Sequence, residues 1–418
     1  MNVLFLTLVN FRSLEERNIY TDLLREFRRN EHNVFCISPV ERKNGKRTEI
    51  INEKNTVILK LLIGNTQKTN IIEKGISTVM IEPQFKAAIK KHFSNVKFDL
   101  VLYSTPPITL AGAVKYVKTR DNAKTYLLLK DIFPQNAVDI RMMSTTGVKG
   151  LLYRHFRKQE KKLYAISDRI GCMSRANVDY LVRHNPEIAP SNIEICPNCV
   201  EVVDRSVDEA VRRVIRNKYG IPFDKKVFVY GGNLGKPQDI PFIIECLRKC
   251  EDIGDAFFLI IGAGTEYGVL EKYIENDNPR NVKLMRSLSK EDYEMLVGAC
   301  DVGLIFLDHR FTIPNFPSRL LSYLQAKIPV LAVTDPNTDI GNVITGTDKC
   351  GNYTHEPFGW WCESSNAENV MLCVKEILVK DIIKFGENGF KYLEAHYSAE
   401  DGCKIIIESV KQAISVNN

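Results

Sequence analysis

The chain has 418 residues, 44% of them hydrophobic and 26% charged, with 57 Lys and Arg against 51 Asp and Glu. This composition belongs to an ordinary folded protein, with too much apolar side chain for disorder and no apolar run near the roughly 20 residues of a membrane span. The length exceeds one ordinary core and suits two α/β domains of roughly 200 residues each, which implies a cleft.

The N-terminal stretch MNVLFLTLVNF lacks the basic segment and small-residue cleavage site of a signal peptide and has the pattern of a first buried strand, so a cytoplasmic chain is expected. Eleven cysteines, mostly inside apolar runs, suit reduced core thiols better than a disulfide framework. Cys196 and Cys199 form a CxxC pair, but no second CxxC or HxxxH partner follows, so no metal is assigned to them.

In chain order, apolar residues 2–9 predict a strand, followed by a polar loop, a helix to about Arg29 and a strand at 33–39. That rhythm is a βαβ unit with parallel strands. Residues 41–55 are polar and are expected to be an exposed connection. A helix around 83–94, strands at 99–104 and 124–131, a basic helix at 150–166, a strand at 168–174 and a helix to about Asn185 continue the pattern. A charged helix at 206–218 interrupts it. The alternation then restarts with strands at 227–231, 256–262, 281–286 and 302–307, each followed by a loop and a helix. The expected domains are 1–205 and 206–395, with 396–418 a terminal helix that could return to the first domain. Doubly wound sheets bind ligands at the carboxyl ends of their strands, so the loops after strands are the places to look.

The segment 301–333 is the most informative. A buried strand leads through Pro314, Asn315, Phe316 and Pro317 into a helix that opens at Ser318 and Arg319, and a second strand ends near Val333. A helix start with free N–H groups, a hydroxyl and a guanidinium suits phosphate.

Several motifs together carry a resemblance: GGNLGKPQDI (231–240), IGAGTE (261–266), the run from Val282 to Leu307 and FPSRLLSYLQAKIPVL (316–331). In the first half STPP (104–107), LKDIFPQ (129–135) and ICPNCVE (195–201) join them. In type and order they resemble glycosyltransferase family 4, in particular its capsule and O-antigen sugar transferases related to fucosaminyltransferases. The resemblance implies a GT-B fold, two Rossmann-like domains facing across a cleft. It further implies a UDP-sugar donor in the C-terminal domain, a lipid-linked or saccharide acceptor in the N-terminal domain, retention of configuration and no metal or other cofactor. No nucleic-acid partner is expected.

Glycosyl transfer from a diphosphate leaves negative charge on the departing phosphate, which the protein must stabilise in place. Lys236 and Arg319 are the candidate cations, and Ser318 adds a hydroxyl. Gly232, Asn233, Gly262 and Gly264 are expected to bring backbone close to the donor, with Glu266 beside the nucleotide and Arg286 bordering its base. Asp131, at the end of an apolar strand, is the candidate for contact with the acceptor hydroxyl. No carboxylate pair is evident at a strand end facing the diphosphate loops.

The chain departs from the family at Pro314 and Ser322, where many members carry a Glu-x7-Glu pair; Ser322 could still meet a ribose hydroxyl as a neutral group. Two alternatives stay open, a GT-B nucleotide-sugar 2-epimerase with a related diphosphate site and, on account of Pro314 and Ser322, a catalytically silent sugar-nucleotide-binding protein. Finally, segment 149–164 carries six Lys and Arg against Glu160 alone, with Leu152, Phe156 and Leu163 expected on one helical face. Such a helix suits peripheral contact with an anionic membrane.

Overall fold

The computed structural model describes residues 1–45, 47–65 and 71–415. The chain forms two compact units, Met1–Glu201 with Ser398–Asn418, and Val202–Tyr397.

The first unit contains β1 (Asn2–Leu6), α1 (Ile19–Arg29), β2 (Asn33–Glu41), β3 (Glu49–Glu53), β4 (Thr56–Ile63), α2 (Ile71–His92), β5 (Leu100–Ser104), α3 (Ala111–Asp121) and β6 (Lys124–Leu129). It continues with α4 (Gln135–Asp139), α5 (Gly147–Ile166), β7 (Arg169–Cys172), α6 (Arg175–His184) and β8 (Ile193–Ile195). The sheet order is β3-β4-β2-β1-β5-β6-β7-β8, with β3 alone antiparallel to its neighbour. Strands such as β1 and β5 are apolar on both faces because helices cover both sides of a parallel sheet.

Among the elements that differ from the sequence pattern, two show why. Residues 49–53, expected within an exposed connection, form edge strand β3 paired to β4 from Glu49↔Lys60 to Glu53↔Thr56. Its polarity is that of an exposed edge, which natural sheets keep charged. Helix α2 runs through Pro83 rather than starting near it. Pro83 and Val79 both face solvent, so water can satisfy the Val79 carbonyl that Pro83 leaves without a donor.

The second unit contains α7 (Glu209–Tyr219), β9 (Lys226–Asn233), α8 (Ile240–Lys249), β10 (Ala256–Ala263), α9 (Tyr267–Asp277), β11 (Val282–Arg286), α10 (Lys290–Gly298) and β12 (Val302–Phe306). Then come α11 (Arg319–Gln325), β13 (Val330–Thr334), α12 (Ile340–Thr345), β14 (Gly359–Glu363), α13 (Ala367–Leu378) and α14 (Ile383–His396). The final helix, α15 (Ala399–Ser415), belongs to the first unit, where Ala399, Cys403, Ile406 and Val410 join the core beneath β1 and β5.

The second sheet has the parallel order β11-β10-β9-β12-β13-β14, so the winding reverses between β9 and β12. These two strands pair only at Val302↔Phe228 and Gly303↔Val229. Their base is fixed by Asp301, whose Oδ2 accepts from Val227 N at 2.7 Å and from Arg216 Nη2 at 2.6 Å, while Arg212 holds Oδ1. Arg216 is 2% exposed and also donates to Ala299 O. Replacing Asp301 with Ala would leave that guanidinium buried without its counter-charge, a loss of about 3–5 kcal/mol. Chemical denaturation of Asp301→Ala checks this, and a loss below about 1 kcal/mol would contradict the assignment.

Candidate functional site

The predicted donor residues fall on the carboxyl edge of the second sheet. Gly232 of β9 is in register with Gly262 of β10, which is in register with Arg286 of β11. Leu234 N–H donates to Ala263 O and Glu266 N–H donates to Leu234 O, each at 3.0 Å, so the loops after β9 and β10 are zipped together. That zipper gives two of the glycines a structural reason. A Cβ at Gly262 would lie 2.0 Å from Gly232 O, and one at Gly264 would lie 2.1 Å from Leu234 O. Their missing side chains make room for the neighbouring loop. Gly232 itself has φ 137°, a conformation reserved for glycine.

Arg319 reaches this edge from the other side of the winding reversal. Its Nη2 would stand 3.3 Å from a Cβ at Gly232, and its guanidinium lies 4.2 Å from the centre of the Tyr230 ring. No acidic side chain pairs with it among the described residues, and its Nη1 is buried with no hydrogen-bond partner. A guanidinium does not shed its proton at neutral pH, so this is a fixed positive charge with one of its N–H groups unpartnered.

Three tyrosines that sequence reasoning did not single out build the seat for this charge. Tyr230 is fully buried and its hydroxyl donates to Asn233 O at 2.6 Å, holding the loop; burial keeps its pKa above the ordinary phenol value. The Tyr323 hydroxyl lies 3.2 Å from Val229 O and 3.0 Å from Leu304 O and accepts from Gly231 N at 3.4 Å, bridging β9 and β12 where their ladder has ended. Half-buried Tyr293 packs against Gly231, and the loss of water around its hydroxyl raises its pKa to about 12. An aromatic immediately before the Gly231-Gly232 pair was the available signal for Tyr230.

The remaining donor candidates are placed less closely. Lys236 is exposed, in a short turn after β9, and makes no ion pair among the described residues. Asn233 is exposed and its Nδ2 donates to Gln238 Oε1. Glu266 precedes α9 without capping it. Arg286 is exposed, stacks at 3.6 Å on the Tyr267 ring and pairs with Glu271 at 3.0 Å. Ser318 is exposed and its side chain caps nothing, because α11 begins in helical backbone at that residue; α11 itself spans only seven residues. Ser322 is half-buried within α11.

A carboxylate pair does stand at this edge, against the sequence expectation. Asp239, after the β9 loop, and Asp308, after β12, lie with His309 close enough for their ligand atoms to fall within 4.8 Å of one another. The two acids are 69 residues apart, which hid the pair. Asp308 is fully buried and bound by Arg310, whose Nε lies 2.8 Å from Oδ1 and 3.1 Å from Oδ2. Burial, then the charge of Asp308, raises the Asp239 pKa. With Asp308 neutralised by arginine, the group is a weak candidate for a metal. Asp335, at the end of β13, accepts from Asn337 N and Thr338 N through Oδ1, while Oδ2 is unpartnered; burial lifts its pKa to about 7.

In the first unit, Asp131 follows β6. Both its oxygens accept from Asn136 Nδ2, at 2.7 and 2.9 Å, and burial raises its pKa to about 6 against that hydrogen bond. Thr105 of the STPP segment accepts from Asp131 N and donates to Asp131 O, tying the two loops together. Cys196 and Cys199 are buried core thiols, and burial raises both their pKa values.

The Tyr230 ring supports Arg319 separately from the bond its hydroxyl makes, and two variants divide the roles. Tyr230→Leu removes the cation–π seat, about 2 kcal/mol or roughly 30-fold in kcat/KM for glycosyl transfer. Tyr230→Phe keeps the ring and should stay within roughly fivefold of wild type. Equal losses in both variants would assign the effect to the hydroxyl.

No protein-family model matches the chain. It is 23% identical over 337 residues to WbjE of Pseudomonas aeruginosa, named as a glycosyltransferase, with 80% of this chain and 79% of that protein covered. It is 22% identical to WcaI of Escherichia coli K12, named as a colanic acid biosynthesis glycosyl transferase, over 59% of this chain and 60% of that one. Among solved structures it resembles WaaG, a glycosyltransferase of lipopolysaccharide biosynthesis, with a TM-score of 0.64 and 15% identity over 97% of this chain and 99% of that one. Trehalose-6-phosphate synthase, OtsA, matches with a TM-score of 0.72 and 8% identity over 99% of both chains. Anabaena Alr3699/HepE, solved with UDP and glucose, matches with a TM-score of 0.66 and 12% identity over 99% of this chain and all of that one. The fold is GT-B, and the chain is a glycosyltransferase enzyme.

Proposed function

We propose that the enzyme transfers a hexose or N-acetylhexosamine-type sugar from a UDP-sugar to a lipid-linked saccharide in surface-polysaccharide biosynthesis, with retention of configuration and without a metal. In the step, the bond from the anomeric carbon to the diphosphate breaks and a bond to the acceptor oxygen forms. The acceptor proton passes to the departing phosphate. Arg319 and the loop at Gly232 hold the diphosphate, with Lys236 and Ser318 at its exposed side, Ser322 at the ribose and Arg286 at the base. Asp131 meets the acceptor hydroxyl.

One observation carries this reading: the buried, unpartnered Nη1 of Arg319 where the sheet winding reverses. Such a charge is costly unless an anion completes it, and open α/β sheets bind ligands at that place. Support for the donor comes from HepE and trehalose-6-phosphate synthase, solved with UDP and with UDP-2-fluoro glucose. Support for the pathway comes from the names of WcaI and WaaG.

UDP at 100 times its dissociation constant should add about 2.7 kcal/mol of stability, read as a rise in Tm. Arg319→Ala should lower turnover by about 10² to 10³, more than it weakens donor binding, because the contact strengthens as the phosphate departs. Arg319→Lys should recover part of the loss, since an ammonium keeps the charge without the fork. Wild-type transfer by Arg319→Ala would remove the assignment, and activity abolished by EDTA and restored by magnesium would overturn metal independence.

A further inference from the structure

Residues 307–318 join β12 to α11 without regular structure, and Arg319 is the first residue of the helix they lead into. A residue at that place has no preceding helical turn to hold it, so the loop sets its position. Apolar anchors fix part of the segment. Phe311 and Ile313 are buried, and Phe316 lies against Tyr397 with ring centres 6.2 Å apart. Its start is tied to the loop after β9, since Asp308 N–H donates to Pro237 O at 3.0 Å. Further along, its carbonyls find partners on another element.

That element is the turn after β13, Thr334-Asp335-Pro336-Asn337-Thr338. Asp335 is fully buried, and its Oδ1 accepts from the N–H groups of Asn337 at 2.9 Å and Thr338 at 3.2 Å, while Pro336 has no N–H to satisfy. Thr334 Oγ1 accepts from Trp361 Nε1 at 2.9 Å and donates to Asp335 O at 3.2 Å, which ties the turn to β14. Two side chains then reach from this braced turn to the loop. Asn337 Nδ2 donates to Phe311 O at 2.6 Å, and Thr338 Oγ1 donates to Asn315 O at 2.5 Å. Asn337 is exposed and Thr338 is buried, so the threonine bond is the better shielded from water and the firmer of the two. Only Phe316, Pro317 and Ser318 separate it from Arg319, and Pro317 stiffens its own backbone and that of Phe316. The segment so held contains two buried N–H donors without a partner, Asn315 Nδ2 and Arg319 Nη1.

We infer that Thr338, assisted by Asn337, is a positioning residue for the donor site: by holding the carbonyls of Asn315 and Phe311 it sets Arg319 at the place where the diphosphate binds. Both residues act through the loop, without touching the donor themselves. A guanidinium that stabilises a departing phosphate must be fixed before the phosphate leaves, and a small misplacement is enough to weaken it. The inference rests on the reading of Arg319 as the diphosphate ligand and adds the element that aims it.

UDP is the probe, because its terminal phosphate carries the charge of the departing group, and its dissociation constant is measured by titration calorimetry on the full chain. Thr338→Val keeps the side-chain shape and removes the hydroxyl, and should weaken UDP binding about fivefold. Thr338→Ser restores the hydroxyl and should stay within about twofold of wild type. Amide hydrogen exchange over 307–318 should be faster in Thr338→Val and return to the wild-type rate in Thr338→Ser. The same substitution is then made with Arg319→Ala. With the guanidinium gone the loop has nothing to aim, so Thr338→Val should weaken UDP binding no further. Should Thr338→Val not fold, Asn337→Ala at its exposed position carries the same cycle, with an expected loss of about threefold. Unchanged UDP affinity in the folded variant, or a loss that persists in full beside Arg319→Ala, overturns the inference and leaves the donor reading standing. Unchanged UDP affinity in Arg319→Ala alone would overturn the donor reading, and the inference with it.

Discussion

Strands β9 and β12 are hydrogen-bonded to each other over only two residue pairs, and the gap beyond them is closed by side chains of α11. The Tyr323 hydroxyl stands between carbonyls of both strands, and Arg319, four residues earlier on the same helix, lies over Tyr230 beside Gly232. A sheet that parts at its winding reversal exposes backbone polar groups that need partners. Here a phenol satisfies some of them from within the fold. The guanidinium beside it has none of its hydrogen bonding at Nη1 satisfied.

That asymmetry links fold to function. At the base of the same two strands, the buried Arg216 is matched by Asp301 at 2.6 Å and by main-chain carbonyls, the normal state of a buried cation. Arg319 has the aromatic face of Tyr230 and no carboxylate. The unit thus sets an arginine whose charge is balanced internally against one that has no counter-charge among the described residues. On the proposed reading, the ligand is the donor diphosphate, and its growing negative charge during transfer meets a donor already fixed in position.

Much of this was legible in the chain. Alternating apolar runs and helical segments gave both parallel sheets, and the Gly-rich loop and the Pro-Ser-Arg segment marked the two sides of the winding reversal. Sequence adjacency could not show that Gly262 and Gly264 serve the neighbouring loop, since Gly232 O and Leu234 O come from another strand. Nor could it show that Asp239 and Asp308 converge. Strand β3 was missed because an exposed edge needs no apolar alternation, and the shared face expected for Leu152, Phe156 and Leu163 of α5 could not show that Phe156 packs on Phe133 and Leu163 is buried while Leu152 is exposed. The tyrosine seat was hidden for a related reason. Tyr230, Tyr293 and Tyr323 each look like ordinary core residues until the fold brings them together.

The proposed function depends on where the diphosphate binds. A crystal structure of the protein with UDP tests this most directly. A phosphate oxygen should lie within hydrogen-bond distance of Arg319 Nη1, beside Gly232 and at the gap between β9 and β12. A diphosphate bound elsewhere, with Nη1 still lacking an anionic partner, would contradict it.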